Sequence, residues 1–288
     1  CETCASVGMV LWNARMSRLK REAKYADVME RALYNGALAG ISLNGTRFFY
    51  VNPLESKGTH HRQAWYGCAC CPSQLSRFLP SIGSYIYNHS LDTDTIWVNL
   101  YLGSKVNLPT DDGSPFTLTQ TTNYPWEGNI KMTVDETPNK IKKELRLRIP
   151  GWCKNYTLKV NGKPYKHKTE KGYAIINRAW KQGDQIELSL EMTTQAVTAD
   201  PRVKADLGKR AVQRGPVVYC VEEIDNPQTY DSATITATTP FIEQYKPELL
   251  GGIVAITAET EAGPLRLIPY YTWDNRQPSR MKVWINEK

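Results

Sequence analysis

No apolar run in these 288 residues approaches the roughly 20 needed to cross a bilayer as a helix, so a helical membrane span is excluded within the sequence. Nucleic-acid motifs are missing too. The formal charge is +7, but the basic residues sit in "SRLKREAK", "KIKKELRLR" and "KPYKHKTEK" among acidic neighbours, a mixed solvated surface and not a nucleic-acid footprint. There is no internal repeat and no low-complexity segment. Neither an initiator Met nor a signal peptide is present, and "CETCASVGMV" enters helical pattern at once, so the sequence is expected to be a piece of a longer chain. Also lacking is an even, dispersed set of cysteines. The seven (Cys1, Cys4, Cys68, Cys70, Cys71, Cys153, Cys220) are odd in number, and five fall within the first 71 residues. A secreted disulfide framework would spread an even set through a small domain, whereas clustering favours a metal or nucleophile site.

With 41% hydrophobic and 23% charged residues the sequence is globular, and it is long enough for two ordinary domains. Its first part is helical. Met9, Trp12, Met16 and Leu19 recur at steps of three and four within 4–20, and Tyr25, Val28, Met29, Ala32 and Leu33 within 23–41, stripes expected to be core contacts. "REAKYADVME" resembles the connection between these helices, and Gly40 a stop. Residues 45–66 form a long irregular excursion rich in aromatics. A third helix, 73–87, follows Pro72 and carries Leu75, Phe78, Leu79 and Ile82 on one face.

After about residue 90 the texture changes to short alternating segments: "TIWVNLYLG", "FTLTQTTNY", "NIKMTVDE", "ELRLRIPGW", "YTLKVNGKPY", "YAIINRAW" and "QIELSLEM". Turn signals such as "DDGS", "VNGK" and "KQGD" separate them, and the spacing predicts an antiparallel β-sandwich over 91–195. A second β-rich region, 196–288, contains "AVQRGPVVYCVEE", "GGIVAITAE", "GPLRLIPYYTW" and "MKVWINE". Cys153 and Cys220 lie in strand-like stretches and are read as buried bystanders. The helical piece, 1–90, reads best as the tail of a larger helical domain. The fold class is thus α+β and multidomain.

The chemistry concentrates in "GCACCPSQLSRFL". Adjacent cysteines make a poor disulfide, because a trans peptide holds their Cα atoms about 3.8 Å apart, below the usual 4.4–6.8 Å. They can, however, face one metal ion. If Glu2 and Cys4 lie in extended chain they point the same way and join Cys70 and Cys71. Three thiols and a carboxylate suit tetrahedral zinc, and soft sulfur argues against magnesium or calcium. Cys1 and Cys68 are spare candidates. A set of unligated buried thiols and a redox pair remain the other readings of the spacing. Cys70 and Cys71 also precede a helix, whose dipole favours thiolate.

"CETCASVGMVLW", "FFYVNPLES", "HHRQAWYGCACCPSQLSRFLPSIGSYIY" and "VNLYLGS" resemble the β-L-arabinofuranosidases of glycoside hydrolase family 127 and the related family 146, formerly a domain of unknown function. The resemblance implies the C-terminal helices of an (α/α)₆ catalytic barrel over 1–90, followed by two antiparallel β-sandwich domains. It implies zinc held by Glu2, Cys4, Cys70 and Cys71, with Cys70 as nucleophile in a retaining double displacement that releases terminal β-L-arabinofuranose from plant glycans. The family's acid/base glutamate precedes its Glu-x-Cys pair, so the resemblance places it outside this chain, which would be inactive alone. Glu55 is read as a surface-loop carboxylate. His60, His61, Trp65 and Tyr66 are candidates for contacting the sugar.

The expected partner is a carbohydrate, with association either with a preceding segment or between copies through apolar helix faces left uncovered. The resemblance suits a bacterial enzyme of periplasm or cytoplasm. The rival reading is a non-catalytic carbohydrate-binding or scaffold protein with a structural zinc site.

Overall fold

A computed structural model describes residues 2–90, 92–109, 115–138 and 141–288. Cys1 and the expected turn at Asp111–Ser114 lie outside the described residues. The chain mixes helices with several sheets, and it divides into two compact units, each described below by itself.

The longer helices lie in the first 78 residues: α1 (Thr3–Lys20), α2 (Ala23–Ala32) and α3 (Cys70–Phe78). Only Arg21 and Glu22 connect the first two, so the expected longer connection is corrected. Arg21 takes a left-handed φ of +54°, and its N–H bonds the Ser17 carbonyl at 2.8 Å, which ends α1. After α2 the chain widens into a π-helical turn (Leu33–Ala37) and then tightens into a 3₁₀ turn (Leu38–Gly40), stopping at Gly40 as expected. The expected helix over 73–87 is broken. A 3₁₀ turn containing Pro80 follows α3, and after the short helix Gly83–Ile86 the chain turns to strand at Tyr87.

The stripe expected to be core on α1 is also corrected. Met9, Trp12 and Leu19 are 49%, 64% and 75% exposed, whereas Thr3, Val7, Val10, Ala14 and Ser17 are buried. On α2 Met29 is buried with Ala23, Ala26 and Glu30, while Val28 is exposed.

Unit 2 comprises Val10–Glu30 and Phe78–Met192 and holds two sheets. In the six-stranded one every pairing is antiparallel, in the order Ser104–Pro109, Pro115–Thr122, Asn129–Glu136, Gln185–Leu190, Tyr156–Val160, Lys163–Pro164. Alternation explains it: Ile130, Met132 and Val134 are buried between exposed or half-exposed neighbours. Asn161 and Gly162, at φ +52° and +74°, close the Val160↔Lys163 hairpin in the left-handed region that such two-residue turns need. The five-stranded sheet runs Lys168–Glu170, Tyr173–Trp180, Ile141–Arg148, Thr95–Val98, Tyr87–Ser90, and here Thr95–Val98 lies parallel to Ile141–Arg148. The purely antiparallel expectation fails at that pair. Arg148, fully buried, reaches from this sheet to α2, where it pairs with Asp27 at 2.7 Å and with Glu30. Tyr124 Oη donates to the same Glu30 at 2.7 Å. Cys153 is half-buried in a turn and not in a strand.

Unit 1 comprises Cys1–Met9, Arg31–Arg77 and Thr193–Lys288. Its nine-stranded sheet carries the apolar core of Val212, Tyr219, Val221, Ile256, Leu265 and Leu267, and the fully buried Cys220 lies in the strand Val217–Glu222. The irregular excursion is fastened to this sheet. Glu55–Ser56 pairs with Met281–Lys282, which leaves Glu55 exposed, and the Pro53 carbonyl accepts from Tyr270 Oη at 2.8 Å. Buried Arg62 donates to the carbonyls of Ala39, Tyr271 and Trp273 at 2.5–3.2 Å and stacks 4.2 Å from the Phe49 ring. Burial pushes its guanidinium down to about 10, with Asp274 opposing the shift.

Candidate metal centre

All four expected ligands converge within unit 1. One donor atom from each of Glu2, Cys4, Cys70 and Cys71 lies within 4.8 Å of every other. Their elements explain the convergence. Glu2 precedes α1 in an antiparallel bridge to Val51, and the Thr3 N–H donates to the Tyr50 carbonyl at 3.0 Å. Cys4 already belongs to the helix, so the expectation of one extended segment holding both residues is corrected. The helix begins between them, and the wide angle separating helical residues two apart does not apply.

The start of α1 is gripped closely. Thr3 Oγ1 donates to the Phe49 carbonyl at 2.8 Å and accepts from Asn52 at 3.1 Å. A Cβ on Gly40 would fall 2.3 Å from Thr3 Cγ2, and one on Gly36 would fall 2.4 Å from Ser6 Oγ. Glycine at these positions lets the two segments touch.

Cys70 and Cys71 open α3, with Pro72 in its first turn where its missing N–H costs nothing. Cys70 Sγ lies 3.8 Å from Cys71 Sγ and 3.7 Å from Glu2 Oε1, and Cys71 Sγ lies 3.9 Å from the same oxygen. In a tetrahedral zinc site with bonds of about 2.3 Å to sulfur and 2.0 Å to oxygen, ligand atoms stand roughly 3.5–3.8 Å apart. The donor set fits that ion.

The thiols are not equivalent. Cys71 is fully buried, and desolvation pushes its thiol up. Desolvation also raises Cys4, and its two sulfur neighbours add to the shift. Cys70 is only half-buried and is held below the ordinary thiol range, chiefly by the Tyr50 hydroxyl hydrogen-bonded to it; Tyr50 is raised correspondingly. Cys68 is exposed and stands outside the four-donor set.

The candidate sugar contacts are placed differently. His60 Nε2 donates to the Val51 carbonyl at 2.9 Å, and its ring stacks on Phe49 at 5.0 Å. His61 Nδ1 donates to Asp274 at 2.7 Å. Tyr66 Oη bridges the Phe48 carbonyl and the Tyr50 N–H, at 2.8 and 3.1 Å. Trp65 is exposed, with its ring edge-on to Phe48. Tyr50 was not among the expected residues, although it stands in "FFYVNPLES" beside the bridge to Glu2. Asp274 had no local signal at all, because its partners lie 212 and 213 residues earlier.

Three family models match successive parts of the chain: the GH127 catalytic domain of β-L-arabinofuranosidase over 1–84, the GH127 middle domain over 95–192 and the glycoside hydrolase family 127 C-terminal domain over 194–286. A non-reducing end β-L-arabinofuranosidase of Bifidobacterium longum subsp. longum is 35% identical across 98% of the chain and 48% of its own length. The crystal structure of a GH127 β-L-arabinofuranosidase from Geobacillus stearothermophilus T6 superposes with a TM-score of 0.93, at 41% identity over all of this chain and 50% of that one. A second GH127 β-arabinofuranosidase structure matches with the same TM-score at 40% identity, over 49% of its length. The chain spans about half the length of these relatives.

Proposed function

We propose that this chain, which belongs to glycoside hydrolase family 127, carries the metal-thiolate half of a retaining glycosidase acting on terminal β-L-arabinofuranosides of plant glycans. The observation carrying the reading is the convergence of Glu2, Cys4, Cys70 and Cys71 on one point. Zinc bound there supplies positive charge that keeps thiolate at neutral pH. Burial supports a division of the remaining roles. Cys71 is enclosed and anchors, whereas Cys70 is half-exposed, accepts the Tyr50 hydroxyl hydrogen bond and is open to a sugar. Its Sγ attacks the anomeric carbon as a general acid protonates the leaving oxygen, forming a carbon–sulfur bond. Water, giving its proton to the same group now acting as base, then enters from the face the leaving oxygen vacated and displaces the thiolate, so the configuration is retained. Glu2, committed to the ligand set, does not serve as that acid. Within this reading the helices of 1–90 form part of an (α/α)₆ barrel, and 91–195 and 196–288 form β-sandwich domains. Cys70→Ser in the full-length polypeptide tests the proposal, with turnover of a β-L-arabinofuranoside lost and the unfolding temperature retained. Unchanged turnover would remove Cys70 as nucleophile and favour a purely structural metal.

A further inference from the structure

We propose that a cavity in unit 2, lined by Arg18, Arg21, Tyr87, Asn88, His89 and Trp97, binds an oxyanion: the carboxylate of an acidic sugar or free inorganic phosphate. The cavity measures about 190 Å³ and adjoins Tyr87–Ser90, the outer strand of the five-stranded sheet. That volume is below the roughly 300–1,000 Å³ of drug-sized pockets, and it suits one small anion or a single sugar ring.

Its lining holds two guanidinium groups and no carboxylate. Arg18 is oriented by Asn88 Oδ1 at 3.4 Å and the Ser84 carbonyl at 3.2 Å, and Asn88 is itself held by Ser17 Oγ at 3.3 Å. Arg21 lies over the Trp97 ring, 4.5 Å from its centroid. Neither arginine has a carboxylate partner among the described residues. Arg146, also beside Trp97, is already neutralised by Glu144 at 2.6 Å and Glu170 at 3.6 Å. Trp97 is 4% exposed, and its Nε1–H is buried without a partner among the described residues, as is His89 Nε2. Buried polar atoms are rarely left unpaired, and here two belong to residues bordering one cavity whose charge is uncompensated. Arginine forks suit planar or tetrahedral oxyanions.

Arg21 ends α1 at φ +54°, a conformation and position that favour glycine. The same fact supplies a clean variant, since Arg21→Gly removes the guanidinium while easing the backbone.

Calorimetric titration at low ionic strength tests the site with inorganic phosphate, galacturonate and uncharged L-arabinose, on the wild type, R21G and R18Q. At least one anion binds and arabinose does not. Both variants weaken that binding about tenfold or more, with the unfolding temperature of R21G unchanged or raised. Tighter galacturonate identifies an acidic-sugar subsite, and tighter phosphate a simple anion site. Failure of both anions to bind at about 10 mM, equal binding of arabinose, or wild-type affinity in both variants overturns the proposal.

Discussion

Adding a chelator is the perturbation that bears most directly on the proposed zinc site at the thiol cluster. At free zinc one hundred times its dissociation constant, binding to the folded state alone contributes about 2.7 kcal/mol. Unit 1 contains roughly 150 residues, a size at which each kcal/mol moves the transition by about 2–4 °C. If zinc occupies the four-donor set as proposed, stripping it should therefore lower the unfolding temperature of unit 1 by about 5–11 °C. Scanning calorimetry with and without a chelator measures this, and elemental analysis gives metal per chain. Cys71→Ser replaces the most enclosed sulfur with a hydroxyl that does not ionise, so it should abolish both the stoichiometric zinc and the chelator's effect. Cys68→Ser, exposed and outside the set, should preserve both. A Cys71→Ser protein that keeps one zinc per chain and the full chelator shift would refute the ligand assignment.

Other substitutions follow from the packing. Arg148→Met strands Glu30, 2% exposed, without its charge partner and should cost unit 2 about 3–5 kcal/mol in urea unfolding; Glu30→Gln on top of it should recover part of the loss. An unchanged midpoint in Arg148→Met would show that the pair does not matter. Gly40→Ala drives a Cβ into the buried Thr3 side chain that seats the start of α1, so it should lower stability by about 1–3 kcal/mol and weaken zinc binding together. Zinc affinity equal to wild type in that variant would disconnect the Gly40–Thr3 contact from the metal centre. Arg62→Met removes a guanidinium that bonds three carbonyls, and it should loosen residues 45–66, read as faster amide exchange there; unaltered protection would show that the clamp is dispensable.

What could be read in advance was whatever the chain states locally. Asn129–Glu136 and Gln185–Leu190 are visible because period-two burial is written into consecutive residues, and the Val160–Lys163 hairpin because Asn-Gly tolerates the left-handed turn it needs. The stripe on α1 misled for a related reason. Steps of three and four describe two faces of that helix, one with Met9 and Trp12 and another with Val7, Val10 and Ala14, and nothing local says which face is covered. Strand direction was hidden as well, because alternation is the same in parallel and antiparallel neighbours, and Thr95–Val98 meets Ile141–Arg148 across a long interval.

The site divides in the same way. Adjacent cysteines at a helix start announce themselves, since few other arrangements explain two thiols that cannot bridge each other. Tyr50, which tunes Cys70, shows no such mark: an aromatic in an irregular segment is equally suited to packing. The support behind it is non-local throughout. Asp274 fixes His61 and the Arg62 N–H, Arg62 stacks on Phe49, and Phe49 precedes Tyr50, so residues near the end of the chain set the placement of a side chain at the thiol cluster. Sequence patterns expose the donors because their chemistry is unusual, but they conceal the frame because buried polar contacts of this kind are built from common residues brought together only by the fold.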